Sequence, residues 1–389
     1  MSDRADVAVI GGGVMGSALA YWLTRLEPTA SVVVVERDPT YASASSALSA
    51  ASIRQQFTSA VNVRISQASI DFLRQADGLL EVDAVRPDIG LCERGYLYLA
   101  TEAGLPALRE AHRIQSGLGA QVALLDKRDL QRRFSWLNTA DLAAGSLGLN
   151  GEGWFDGYLL LTALIRKARS QGARYQRGEV TGLELRNERV EALRLADGSR
   201  LECRYAVNAA GPWARVIAGY AGLDLPVVAR RRTVYVLTCP HRLEGLPLLI
   251  DPSGFWIRPE GAGFIAGLPP PEDPDDAPLE PDYPTFESTL WPALAHRIPA
   301  FEQARLERAW AGYYEMNLFD HNGLVGPHPR IANFLLMNGF SGHGLQQAPC
   351  VGRAIAELIL HGRYLSVDLS PLDFGRVQRG EPLRELNVI

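Results

Sequence analysis

The sequence predicts an α/β protein, α+β overall, and three observations carry that expectation. Residues 7–10 are a short apolar run closed by glycines, residues 14–26 are good helix formers, and Val32, Val33, Val34 and Val35 lead to Glu36. Strand, turn, helix and strand fall within about the thirty residues of a βαβ unit, and unbroken apolar runs mark strands buried on both faces. Further on, helical and strand patterns both recur. At 389 residues the chain is long enough for two domains, or for one large α/β domain with an elaboration.

The later elements follow in order. Residues 41–52 are mostly Ala and Ser, which suits a close-packed loop against a large ligand, and 61–73 read as a helix. Residues 89–100 alternate as a strand, while 105–118 and 127–134 look helical. Residues 157–171 are an amphipathic helix, with Leu160, Leu164 and Ala168 on one stripe. Strands are expected at 180–185, 190–195 and 201–208, with Asp197-Gly198 at a turn, and again at 230–237, 254–258 and 263–268. The segment 269–285, dense in Pro, Asp and Glu, is a surface excursion. A last strand at 335–338 precedes a helix at 346–360.

Bulk properties narrow the function. With 47% apolar and 21% charged residues the chain is an ordinary globular protein, and its net charge of −5 offers no basic field to a nucleic acid. Cys92, Cys203, Cys239 and Cys350 have neither metal nor pairing spacing, which suits reduced thiols. The start reads as no signal peptide, and no run reaches the roughly eighteen apolar residues of a transmembrane segment. The expectation is a soluble, cytoplasmic protein, with peripheral membrane contact left open.

The most informative motif is Gly11-Gly12-Gly13-Val14-Met15-Gly16, a G-x-G-x-x-G that follows a strand and opens a helix. Gly11 would make the tight turn, Gly13 would let a pyrophosphate approach the backbone, and Gly16 would let helix and strand pack closely. The helix N-terminus offers free N–H groups to phosphate, and Glu36, twenty positions past Gly16, can accept from ribose hydroxyls. The plain alternative is a glycine turn with a capping carboxylate. The fingerprint alone does not separate NAD from FAD.

Three later segments do. Asn208-Ala209-Ala210-Gly211-Pro212-Trp213 ends an apolar strand, and Asn338-Gly339-Phe340-Ser341-Gly342-His343-Gly344 is a second glycine turn that opens a helix. Between them lie Ala311-Gly312-Tyr313-Tyr314, Asp320 and Gly323-Leu324-Val325-Gly326-Pro327. In this order the motifs resemble those of the FAD-dependent amine and amino-acid oxidoreductases typified by D-amino acid oxidase, glycine oxidase, sarcosine oxidase and D-arginine dehydrogenase. The likeness runs from Asp6 to about Leu369.

That resemblance implies a Rossmann-like FAD-binding domain from residues 1–85, 150–226 and 328–389. It also implies a substrate domain on a large mixed or antiparallel sheet from residues 86–149 and 227–327. The implied FAD contacts are Gly11, Gly13, Val14, Met15, Gly16, Glu36, Arg37, Ser45, Ser46, Ser52, Val180, Ala209, Ala210, Gly211, Trp213 and Gly312. Gly342, His343, Gly344, Leu345 and Gln346 would bring a helix N-terminus to the flavin N1/C2 edge, where reduced flavin carries negative charge. No cysteine stands at residues 312–314, where sarcosine oxidase attaches its flavin, and no histidine in the N-terminal loop, so the FAD is expected to be non-covalent.

For the substrate, Arg54 matches a carboxylate-binding arginine of sarcosine oxidase, and a planar fork suits a carboxylate. Gln346 replaces that enzyme's lysine, which argues against sarcosine itself. Arg258 shares a strand face with Trp256 and either lines the pocket or faces solvent; Arg232 matches an arginine of the D-arginine dehydrogenase pattern. Tyr313 and Tyr314 stand where several relatives place an arginine, and His343 is a flavin contact, a proton-handling group or a core histidine. The implied reaction is oxidation of a C–N bond in an amino acid or secondary amine, with hydride passing to flavin N5 and the imine then hydrolysing. The electron acceptor (oxygen, quinone or a redox protein) is not specified. A 2-hydroxy-acid or glycerol 3-phosphate dehydrogenase is one alternative, and a flavin-binding subunit with little activity of its own is another.

Overall fold

The computed structural model describes residues 3–386 and contains two large sheets joined across a groove. The first sheet runs Leu324–His328, Ile331–Asn338, Arg200–Asn208, Asp3–Ile10, Val32–Glu36, Arg174–Arg177. Its middle is parallel: Ile10 lies level with Asn208 on one side and Val35 on the other, and Asn208 level with Leu336. The hairpin of Val180–Arg186 and Arg189–Leu195 pairs antiparallel with the start of Arg200–Asn208.

Burial on both faces explains the unbroken valines. Val7, Val9, Val32 and Val34 enter one core, with the helices Val14–Leu26, Ala60–Leu73, Gly157–Ser170 and Gly344–His361. Ala8, Ile10, Val33 and Val35 enter the other, with the hairpin and the helix Ala214–Gly219. Period-two geometry thus sends alternate residues of one apolar run into two separate cores.

The second sheet runs Arg305–Asn317, Val227–Thr238, Gly263–Gly267, Trp256–Glu260, Leu248–Ile250, Tyr96–Ala100, Ala144–Gly148, Val122–Asp126. All its pairs are antiparallel except Leu248–Ile250 with Tyr96–Ala100. One face packs under Phe286, Leu290, Leu294 and Phe301. Among the described residues no helix is long and apolar enough to cross a membrane.

Several strands differ from expectation. Only Tyr96–Ala100 of the 89–100 run is a long strand, because Gly90 and Gly95 take φ of +62° and +88° and turn the chain. Val122–Asp126 and the thirteen-residue Arg305–Asn317 went unforeseen, since neither alternates cleanly. Leu324–His328 pairs into the first sheet.

Candidate functional site

Three glycine turns leave the same edge of the first sheet. Residues 11–13, 209–211 and 339–342 follow the carboxyl ends of three adjacent parallel strands, on either side of the point where the chain order reverses. Ligands of open α/β sheets bind in the crevice at such a switch point. Here that crevice is a groove holding about 1830 Å³ of atom-free space, open to solvent and closed on the far side by the second sheet.

The fingerprint glycines meet different constraints. Gly11 has φ +98°, and a Cβ there would lie 2.5 Å from the Ala209 carbonyl oxygen. At Gly16 a Cβ would collide with the Gly11 carbonyl, so this residue sets the helix against the turn. Gly13 is different. Its φ is −60°, it precedes the helix Val14–Leu26, and the nearest atom to a Cβ would be Ser46 Oγ at 3.4 Å. Nothing in the protein itself demands glycine there, and the space it leaves faces the groove.

Loop residues complete the cradle. Ser46 Oγ accepts the Val14 N–H at 3.0 Å, capping the fingerprint helix from thirty-two residues away, and Ser45 Oγ is buried with no hydrogen-bond partner among the described residues. Glu36 accepts the Gly12 N–H and the Asp38 N–H, both at 2.8 Å, so the carboxylate expected to meet a ribose also holds the turn. Arg37 lies 3.8 Å over the Trp213 ring. Val180, Ala209, Ala210, Gly211, Gly312, Gly342, Gly344 and Leu345 all line the groove. Gly342, at φ +91°, packs directly on the Tyr314 ring, where a Cβ has no room.

The residues present therefore fit an extended dinucleotide: a helix N-terminus, a glycine with open space before it, an orphaned serine hydroxyl, and a carboxylate at one end. Among the described residues no cluster of His, Cys, Asp and Glu could hold a metal ion.

Six expected contacts do not line the groove: Gly16, packed between helix and turn, Arg54, buried behind the groove wall, and four more. Ser52 hydrogen-bonds Tyr96 Oη at 3.0 Å, and Gln346 Oε1 accepts the Arg54 N–H at 2.8 Å. His343 turns its ring toward Arg54 and Phe57. None of these three lines the groove. Nor does Arg258: its guanidinium donates to the Ala50 carbonyl at 2.7 Å and pairs with Glu260, anchoring the Ala/Ser loop. Strand alternation gave Arg258 a direction but could not show that a loop carbonyl would capture it.

Arg54 sits just beyond this loop, 4% exposed. Its guanidinium carbon is 4.4 Å from the Phe57 ring centroid and 5.8 Å from both Tyr96 and Tyr98. Nη2 contacts His343 Nε2 at 3.0 Å, Nε has no partner, and no carboxylate is in ion-pair range among the described residues. An arginine only donates, so Nε2 must be the accepting nitrogen and the ring proton sits on Nδ1. Burial, with the Arg54 charge adding to it, drives the His343 pKa well below the ordinary histidine value. The Arg54 backbone is also pinned on both sides. Glu152 accepts the Gln55 N–H at 2.6 Å and the Gln56 Nε2 at 2.8 Å, and burial pushes its carboxyl up to about 7.

Tyr314 joins the two regions: it lines the groove, and its hydroxyl feels the charges of Arg232 and Arg54. Burial raises its pKa above 10. Tyr313 donates to the Ala277 carbonyl at 2.7 Å. Arg232 also lines the groove, but its fork is taken by Asp273 at 2.7 and 2.9 Å, a carboxylate of the Pro-rich excursion. The sequence reading missed Tyr96, Tyr98 and Glu315; four consecutive residues from Gly312 line the groove, so period-two alternation had no means to single out Glu315.

Known proteins share this arrangement. Residues 6–358 match the family described as FAD dependent oxidoreductase. The chain is 42% identical over 426 residues to the FAD-dependent oxidoreductase domain-containing protein 1 of Xenopus laevis, spanning all of this chain and 85% of that protein. It is 27% identical to the mitochondrial dimethylglycine dehydrogenase of Homo sapiens, over 96% of this chain and 45% of that one. Among solved structures, glycine oxidase from Geobacillus kaustophilus aligns with a TM-score of 0.81 at 25% identity, over 96% of this chain and 98% of its own. L-proline dehydrogenase from P. horikoshii aligns at 0.86 and 24%, over 98% and 100%, which is a likeness of fold. Because the family match runs from the first strand into the last long helix, it takes in every wall of the groove, and the chain belongs to the family of FAD dependent oxidoreductases.

Proposed function

We propose that this FAD-dependent oxidoreductase oxidises a C–N bond in an amine that carries a carboxylate, an amino acid or N-substituted amino acid, and that Arg54 binds the carboxylate. The observation that carries the reading is the state of Arg54: a buried guanidinium with no carboxylate in ion-pair contact among the described residues, the Glu385 carboxylate acting on it only from farther off, ringed by Phe57, Tyr96 and Tyr98. A buried charge held only by neutral hydrogen-bond partners and a distant carboxylate is costly, and an anionic ligand in contact would relieve that cost.

The remaining residues serve that fork. Neutral His343 holds one Nη in place, and Gln346 and Glu152 fix the backbone. The tyrosine rings exclude water and so strengthen the ion pair. FAD, when bound, supplies the two-electron acceptor chemistry, and the protein supplies position and electrostatics. Gly11, Gly13, Glu36, Val180 and Gly342 would hold it, without a covalent bond.

One observation favours an amine over a 2-hydroxy acid. A hydroxyl must lose a proton as hydride leaves, which requires a base, and His343 Nε2 already accepts from Arg54. Names among the relatives, dimethylglycine dehydrogenase and glycine oxidase, point the same way. The test is an anaerobic absorbance titration with D- and L-amino acids, N-methyl amino acids and 2-hydroxy acids. Bleaching of the flavin by members of the amine sets is expected; bleaching by 2-hydroxy acids alone would overturn the reading.

A further inference from the structure

Glu315 is a carboxyl that the site described so far does not use. It lies on the strand Arg305–Asn317 and lines the groove at the end formed by the second sheet, away from Glu36. The glycine turn closes over it: Ser341 N–H donates to the Glu315 carbonyl at 3.0 Å, and Met316 bridges to Phe340. Oε1 would lie 3.4 Å from a Cβ at Gly344, the first residue of the helix Gly344–His361, where Met15 also reaches in. Oε2 is shut off from solvent and makes no hydrogen bond among the described residues. A carboxyl with a solvent-inaccessible, unbonded oxygen, facing a groove beside a helix N-terminus, is placed to meet a ligand.

We propose that Glu315 is a cofactor-binding residue whose carboxyl, beneath the glycine turn, hydrogen-bonds FAD at the second-sheet end of the groove. The proposal rests on the FAD reading and extends it, since Glu315 was not among the contacts implied by resemblance.

The surroundings explain why the acid keeps its proton. Burial pushes its pKa up to about 8, and the backbone N–H groups of Gly339 and Phe340 offset only part of that. Among the described residues no neighbouring element supplies a compensating cation. The adjacent strand sets Ala229 opposite Glu315, and its next residue, Arg230, reaches Asp275 at 2.8 Å, while Arg232 is held by Asp273. On its own strand Tyr314 is pushed up by burial, and in the turn above, His343 is neutral and directed at Arg54. The two helices packed nearby present Met15, Gly344 and Leu345 to the groove. A protonated acid donates where a carboxylate can only accept, and at the helix N-terminus it adds a second donor toward an electron-rich edge.

Linkage gives the test. If bound FAD prefers the protonated acid, its affinity must fall as pH rises past the value in the free protein. Equilibrium ultrafiltration of the holoprotein, with free FAD measured by absorbance, should show Kd steady from pH 6.5 to 7.5. Above about 8 it should rise, approaching tenfold per pH unit. Glu315→Gln keeps a neutral donor, so its Kd should stay within about threefold of wild type at pH 7 and remain flat to pH 9.5. Glu315→Leu should bind FAD at least about tenfold more weakly at pH 7. A wild-type Kd flat to pH 9.5, a Gln variant with the same pH profile as wild type, or a Leu variant with wild-type affinity would each overturn the proposal while leaving FAD binding intact. A wild-type protein that binds no FAD at pH 7 would overturn both readings together. The wild-type pH profile alone decides the matter if either variant fails to fold.

Discussion

Arg54 Nη2 and His343 Nε2 stand 3.0 Å apart inside an aromatic shell, and the two residues come from segments 289 positions apart in the chain. The pair makes sense only if the imidazole is neutral, because a protonated ring would set two cations against each other. In the proposed function, Arg54 is then the charged group offered to a ligand, and His343 positions it.

Arg54→Ala should keep FAD bound and weaken substrate-driven flavin reduction by about 2 kcal/mol or more, the scale of losing one partner of a desolvated charged pair. Arg54→Lys should recover only part, since it keeps the charge without the planar fork. Reductive half-reaction kinetics on the three proteins check this. Wild-type behaviour of the Ala variant would return Arg54 to a structural role.

The His343 pKa, lowered by burial and by Arg54, implies a pH dependence of stability. The unfolded histidine binds a proton below about 6.5 while the folded one does not, so stability falls as pH drops through that value. His343→Asn keeps an acceptor for Arg54 without a titrating ring. Between pH 6.5 and 5 the wild type should lose up to about 1.4 kcal/mol per pH unit more than this variant, read from urea unfolding. Equal slopes would show that the folded ring titrates normally.

Gly13→Val and Gly16→Ala should separate two kinds of glycine. At Gly13 the protein leaves room for a side chain, so the variant should fold with little loss of stability yet fail to retain FAD. At Gly16 a Cβ meets backbone, so that variant should lose stability in the apoprotein as well. Thermal unfolding with and without FAD distinguishes them. A Gly13→Val protein that holds stoichiometric FAD would reduce the motif to a turn.

These contrasts show which features were legible in the sequence. The fingerprint was, because Gly11, Gly13, Gly16 and Glu36 act within one βαβ unit whose spacing is local. The two later turns were readable as glycine-rich strand exits, and the structure sets all three along one sheet edge. The surroundings of Arg54 were not readable: Phe57 is near in sequence, but Tyr96, Tyr98 and His343 arrive through packing of distant strands and a helix. Arg258 shows the reverse case, a residue with a correct strand assignment whose partner, the Ala50 carbonyl, lies 208 positions away.

The turn after Tyr314 offers a purely structural prediction. Asp320 and Arg376, both buried, form a two-pronged ion pair at 2.8 and 3.0 Å, and Arg376 also donates to the Asn322 and Gly323 carbonyls. Asp320→Ala leaves a buried guanidinium uncompensated and should lower unfolding free energy by about 3–5 kcal/mol. Chemical denaturation checks it, and a loss below about 1 kcal/mol would mean that water replaces the carboxylate.

The most direct measurement compares anaerobic flavin reduction by an amino acid that bleaches the protein with reduction by the amine that lacks only its carboxylate. If the site oxidises carboxylate-bearing amines through Arg54, the decarboxylated amine should reduce wild type about thirtyfold or more less efficiently, the equivalent of about 2 kcal/mol. In Arg54→Ala the two compounds should be nearly equal. Equal reduction of the wild type by both compounds would contradict the account.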